Sequence, residues 1–135
     1  SWVVRCAGFG QSTAVGIGGD LLMGTSYGFL LEQFEQDPHT RAVIIFGEMG
    51  GLYEYYIIAL RNAGKITKPV IMIIAGKFSE HLSMPEGVSL GHAGAIIERG
   101  RGSIHAKEEA LRQAGVIVAC DFEQLSGLIC SKLVS

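Results

Sequence analysis

The sequence predicts an α/β protein, with a doubly wound parallel sheet in a single domain. Short apolar runs alternate along the chain with segments in which apolar residues recur at helical spacing. Hydrophobic residues make up 48% of the 135 residues, and 19 glycines provide for tight turns between buried strands. A chain of this length can bury one core but is too short for two domains.

Four apolar runs predict the strands. The runs over residues 42–46, 69–76 and 116–119 are almost continuously apolar, which is typical of parallel strands that are buried on both faces. Ahead of them, Ala14–Ile17 predicts a further short strand. Strands that alternate with helices favour right-handed crossovers and helices on both faces of the sheet.

The first helices are predicted from spacing and capping residues. We interpret the apolar segment Trp2–Ala7 as the end of a helix. A helix over residues 27–36 follows from its apolar spacing, with Ser26 as the N-cap. A third helix, over residues 52–63, is apolar nearly all round, which indicates a buried helix or one at an interface.

Two more helices are predicted in the last third of the chain. The helix over residues 103–114 has an outward Glu108–Arg112 pair at i,i+4 spacing. Its inward residues are predicted to be Ala106, Ala110, Leu111 and Ala114. Asp121 is predicted to cap the last helix, and Gln124 completes a pattern like a capping box.

Charge and cysteine content limit the functions that fit this sequence. A formal net charge of −2 gives no overall electrostatic case for binding nucleic acid, and the longest apolar runs are far too short to span a membrane. Cys6, Cys120 and Cys130 form no Cys-x-x-Cys pair, and the sequence shows no His/Cys cluster at zinc spacing. We therefore expect reduced thiols, a cytoplasmic or mitochondrial matrix location, and no structural metal.

A histidine between glycines is the strongest candidate for a functional residue. Residues 89–97 read Ser-Leu-Gly-His-Ala-Gly-Ala-Ile-Ile, and Gly91 and Gly94 leave room for a ligand beside His92. A neutral imidazole is a nucleophile near pH 7, and the start of the helix that follows favours an anion. The pattern therefore fits a phosphoryl acceptor, although from spacing alone a turn residue with satisfied hydrogen bonds is the more frequent case.

Glu48 is the second candidate, because it lies at the carboxyl end of a predicted strand. In open α/β sheets, ligands bind beyond those strand ends. Its carboxylate could hold one ring nitrogen of His92 and so orient the other nitrogen for attack. The alternative is a carboxylate that interacts with the dipole of the next helix, which Gly50 and Gly51 allow to start tightly.

The other glycine motifs complete no known nucleotide-binding signature. Neither Gly8-x-Gly10 nor Gly16-x-Gly18-Gly19 extends to Gly-x-Gly-x-x-Gly at a strand-to-helix turn. The sequence also lacks the P-loop pattern of nucleotide hydrolases.

The histidine segment resembles a known family. Gly-His-Ala-Gly-Ala-Ile-Ile, followed by a glycine-rich basic turn, resembles the phosphohistidine loop of the succinyl-CoA synthetase alpha subunit and of relatives such as ATP citrate lyase. Segments 8–20, 47–51 and 67–70 agree with this family in order and spacing, so the resemblance runs over nearly the whole chain.

The resemblance implies that residues 1–135 form the flavodoxin-like phosphohistidine domain of a nucleotide-dependent acid–CoA ligase. His92 would carry the phosphoryl group and Glu48 would orient it. The residues implied to line the phosphate loop are Gly91, Ala93, Gly94, Gly50 and Gly51.

It further implies CoA, a small carboxylic acid and ATP or GTP with Mg²⁺ as substrates of the full enzyme, with no cofactor held tightly by this domain. The implied partners are an ATP-grasp subunit or domain and a CoA-binding domain outside this chain, in an oligomer. Two other interpretations stay open: a non-catalytic assembly module that docks to a ligase subunit, and a small flavodoxin-like protein that binds a nucleotide or flavin.

Overall fold

Three parallel strands form an open sheet in the part of the chain that a computed structural model describes, residues 1–18, 24–48, 52–77 and 103–133. In chain order, the elements are α1 (Trp2–Cys6), α2 (Tyr27–Gln36), β1 (Val43–Glu48), α3 (Tyr55–Asn62), β2 (Val70–Ala75), α4 (Ile104–Gln113), β3 (Ile117–Ala119) and α5 (Phe122–Leu133). The strand order is β1-β2-β3, with Val43 opposite Val70 and Ile71 opposite Ile117.

Helices cover both faces of this sheet, which confirms the predicted α/β class. The alternation of side chains along β2 divides the core in two, because neighbouring residues of a strand point to opposite faces. Val70, Met72 and Ile74 pack with α2, α3 and α4. Ile71 and Ile73 pack with α1 and α5. Burial on both faces explains why this strand is continuously apolar in the sequence.

Capping residues set the helix starts largely as predicted. The Ser26 Oγ accepts a hydrogen bond of 3.2 Å from the Phe29 amide at the start of α2. At the start of α5, Asp121 Oδ1 accepts from the Gln124 amide at 2.7 Å. The Gln124 side chain accepts in turn from the amide of Cys120, one residue before the position that a capping box predicts.

The segment Ala14–Ile17 is not a strand, so this prediction is wrong. Within the described residues β1 pairs only with β2, and a cavity of about 820 Å³ is lined by β1 and by residues 9–18. Glycines at positions 16 and 18 offer no side chains for cross-strand packing, and Val15 is 48% exposed. A short apolar segment alone does not form a strand, because a strand also needs a sheet edge to pair with.

Helix α3 is shorter and less buried than its composition predicts. Residues 52–54 form a turn, and the helix starts at Tyr55. Ile57 is fully buried while Tyr56 is 60% exposed, so only one face of this helix enters the core. It ends before Gly64, whose φ of +68° favours glycine.

In the described part of the chain, no helix is long and apolar enough to cross a bilayer. The thiols of Cys6 and Cys120 are exposed, that of Cys130 is half-buried, and all three are free.

Candidate active site at the carboxyl end of the sheet

Glu48 is the last residue of β1, so it lies at the carboxyl edge of the sheet, where the sequence predicts it. β2 ends at the same edge, because it pairs with β1 in parallel, and in the chain His92 lies between the end of β2 and Ser103, the N-cap of α4. The other predicted site residues lie outside the described residues: Gly50, Gly51, Gly91, His92, Ala93 and Gly94. Their roles therefore stay predictions.

A buried lysine contacts the backbone of Glu48. The side chain of Lys107, on α4, is 0% exposed, and its Nζ donates a hydrogen bond of 3.0 Å to the backbone carbonyl of Glu48. The same Nζ lies 2.7 Å from Oε2 of Glu54, whose side chain is 5% exposed. One ammonium group therefore joins the end of β1 to the turn before α3.

Burial and charge act in opposite directions on Glu54. Removal from water raises the pKa of its carboxyl group above the ordinary value, and the ammonium of Lys107 partly offsets this effect. A buried ion pair costs desolvation energy that its attraction repays only with good geometry. The separation of 2.7 Å places the two opposite charges in direct contact.

Tyr27 adds a phenol to this group of charges. Burial, followed by the negative charges of Glu54 and Glu48, raises the pKa of Tyr27 to about 12. At neutral pH its hydroxyl is therefore protonated and available as a hydrogen-bond donor. Tyr27 is the first residue of α2, and it lines the cavity beside β1 together with Glu48.

Gly47 makes room for Glu54 at the end of β1. A Cβ atom at position 47 would clash with Cε of Met72 and lie 3.1 Å from Oε1 of Glu54. Since Met72 is fully buried, neither neighbour has open space beside it. A side chain at this position would therefore displace Met72 or Glu54 from the observed packing.

The end of β2 is held by the residue next to Lys107. Oε1 of Glu108 lies 2.8 Å from Nζ of Lys77, and its Oε2 accepts from Arg112 at 2.9 Å. Burial would raise the pKa of Glu108, but these two hydrogen-bonded cations outweigh that effect and lower it. The predicted Glu108–Arg112 pair forms, but the prediction that Glu108 points outward is wrong, since it is buried.

Sequence reasoning missed Lys107 and Glu54 as parts of the site. Ile104, Lys107, Glu108 and Leu111 are the buried residues of α4, and their spacing is that of one helix face. The spacing of these four positions therefore indicated a buried face. The residue types at two of them argued against it, because charged residues are rarely fully buried unless they are paired.

The described residues provide a fixed strand end, an exposed carboxylate and a protonated phenol. A carboxylate in this position can accept a hydrogen bond from an imidazole N–H and fix its orientation. Within residues 1–18, 24–48, 52–77 and 103–133, no group of three His, Cys, Asp or Glu side chains could hold a metal ion.

Comparison with known proteins shows the family of this chain. The sequence model of the CoA-ligase family matches residues 2–117. The chain belongs to the CoA-ligase family. For this CoA-ligase chain, the solved structure of ATP citrate lyase from Methanosaeta concilii in complex with (3S)-citryl-CoA aligns with a TM-score of 0.77 and 33% identity, over 87% of this chain and 19% of that chain.

Curated relatives of this CoA-ligase chain include subunits of two enzymes. It is 47% identical over 112 residues to the alpha subunit of the ADP-forming succinate–CoA ligase of Methanothermobacter thermautotrophicus. It is 43% identical over 112 residues to subunit SauD of the ADP-forming sulfoacetate-CoA ligase of Bilophila wadsworthia. Each alignment covers 83% of this chain but 36% of the relative, so the chain spans about a third of their length.

Proposed function

We propose that this chain is the phosphohistidine-carrying part of a nucleotide-dependent acid–CoA ligase, with His92 as the phosphoryl carrier and Glu48 as the residue that orients it. The observation that carries the proposal is the position of Glu48. It ends β1 at the edge where β2 also ends, and in the chain His92 lies between the end of β2 and α4. The relatives support the reaction class, because their names describe ADP-forming CoA ligases.

The proposed chemistry splits one difficult transfer into steps. An imidazole nitrogen of His92 attacks the γ-phosphorus of the nucleotide, and the bond to the departing nucleoside diphosphate breaks. A carboxylate oxygen of the acid substrate then attacks the phosphorus, and the P–N bond breaks to give an acyl phosphate. The CoA thiolate finally displaces inorganic phosphate and forms the thioester.

Glu48 contributes by accepting a hydrogen bond from the ring N–H of His92, so that the other nitrogen keeps its lone pair for phosphorus. Backbone amides near Gly50, Gly51, Gly91, Ala93 and Gly94 would stabilise the phosphoryl oxygens. Mg²⁺ and the nucleotide, ATP or GTP, would be held by an ATP-grasp partner, and CoA by a domain outside this chain.

Labelling with γ-³²P-ATP and Mg²⁺ tests the proposal in the full-length protein with its co-purifying partner subunit. We expect acid-labile, base-stable label that is absent from His92→Ala and is discharged by CoA with the correct acid. His39→Ala is the matched control, because His39 lies between α2 and β1, away from the carboxyl edge. An unlabelled wild type, with GTP also tried and a folded partner present, would overturn the proposal and favour an assembly module.

A further inference from the structure

Lys107 is a charged residue whose side chain is completely buried. Its side chain is 0% exposed, and an apolar side chain of similar volume would fill the same space without the cost of desolvating an ammonium group. The burial of this ammonium group must therefore be explained by the groups that it contacts.

The contacts of Lys107 converge on the backbone that carries Glu48. Its Nζ donates 3.0 Å to the Glu48 carbonyl, which fixes the peptide plane immediately after the Cα atom of Glu48. Glu54, 2.7 Å from the same Nζ, holds the ammonium in place from the opposite chain segment. Gly47, just before Glu48, packs against Glu54 and Met72 without room for a side chain.

Contacts on both sides thereby restrain the backbone of Glu48. Glu48 itself is exposed at the sheet edge. A carboxylate that must contact one ring nitrogen depends on a backbone with a fixed position. Small displacements at a reacting centre reduce the rate by large factors.

We propose that Lys107 is a positioning residue for Glu48, and that it sets the orientation of this carboxylate toward the phosphoryl-accepting imidazole. The proposal rests on the function proposed above. Among its described contacts, Lys107 reaches Glu48 through the backbone carbonyl of that residue.

Lys68 provides the matched control. Its Nζ also donates to backbone carbonyls, to that of Phe34 at 2.7 Å and to that of Asp37 at 2.6 Å. These contacts lie at the amino end of β2, away from Glu48. If Lys107 only stabilises the fold, Lys107→Met and Lys68→Met should affect catalysis alike.

The experiment measures single-turnover phosphorylation of the full-length protein with its partner subunit, using γ-³²P-ATP. We expect Lys107→Met to slow phosphorylation about 10- to 100-fold relative to Lys68→Met, with the nucleotide concentration for half-maximal rate changed less than about twofold. In a double-mutant cycle, Lys107→Met should slow Glu48→Gln little further, because both changes act on one carboxylate.

Equal rates for the two lysine variants, or an additive effect with Glu48→Gln, would overturn the role of Lys107 while the phosphohistidine function stands. Absence of label in the wild type would overturn both proposals. Should Lys107→Met fail to fold, the double variant Lys107→Met/Glu54→Leu removes both charges of the pair and still lacks the donor to Glu48. The same slowing is expected for it, and a wild-type rate would overturn the proposal.

Discussion

Nζ of Lys107 lies 2.7 Å from Oε2 of Glu54, and the side chains of both residues are almost completely withdrawn from water. The two residues come from α4 and from the turn before α3, so the pair joins elements that are distant in sequence. Lys107 also donates to the carbonyl of Glu48, the end of β1. The buried ammonium of Lys107 thus contacts both the end of β1 and the turn before α3.

Breaking this pair from one side should be strongly destabilising. Glu54→Leu alone leaves the ammonium of Lys107 buried without its carboxylate, and we expect a loss of about 3–5 kcal/mol in the free energy of unfolding. The double variant Glu54→Leu/Lys107→Met removes both charges and should recover most of that loss. Urea denaturation followed by circular dichroism measures both values. Equal losses in the single and double variants would contradict a coupled pair.

Helix α4 shows which parts of fold and site the sequence can predict. Apolar spacing located the helix, and the continuous run of β2 indicated a strand that is buried on both faces. The burial of Lys107 could not be predicted, because it depends on Glu54, a partner that only the folded chain brings near.

Ala14–Ile17 fails for a related reason. A strand pattern is local, but a strand needs a ladder with an accepting edge, and local residues do not specify that contact. Glu48, by contrast, was located correctly, because its position follows from the end of one strand.

The packing around Gly47 predicts a cost for adding a single methyl group. Gly47→Ala would push against Met72 and Glu54, and we expect about 1–3 kcal/mol of destabilisation from overpacking. Gly16→Ala is the matched control, because an added Cβ there meets nothing within 4 Å. The control should change stability by less than about 0.5 kcal/mol. Thermal unfolding of the two variants compares them directly, and similar melting temperatures would show that the end of β1 can adjust.

Replacing a glycine within α5 should increase the stability of the protein. Gly127 lies inside the helix with open space around its Cα, so Gly127→Ala should stabilise the protein by about 0.5–1 kcal/mol through the helix propensity of alanine. Gly115→Ala also enters open space, but its φ of +78° strains an L residue, and we expect destabilisation of similar size. The urea midpoints should therefore move in opposite directions. Midpoints that move together would mean that backbone conformation does not decide the effect.

The carboxylate of Glu35 predicts how stability depends on acid. Burial would raise its pKa, but hydrogen bonds from the Thr67 hydroxyl and from the amides of Lys68 and Thr67 outweigh that effect and lower it below the ordinary 4.5. Since the folded-state pKa is depressed, the stabilisation is fully present above the unfolded-state value and is lost as pH falls through the folded-state value. Glu35→Gln should thus lower stability at pH 7, by about 1 kcal/mol for this partly exposed group, and make the loss below pH 4.5 shallower.

Glu32→Gln is the control for this prediction, because it removes a carboxylate from the same helix. Glu32 pairs with Lys65 at 3.1 Å on the surface, where ion pairs contribute little, so stability at pH 7 should change by less than about 0.5 kcal/mol. Urea denaturation at a series of pH values from 7 down through the carboxyl range gives the slope for each protein. If Glu35→Gln and the wild type lose stability in parallel on acidification, the hydrogen bonds from Thr67 and Lys68 do not hold Glu35 ionised.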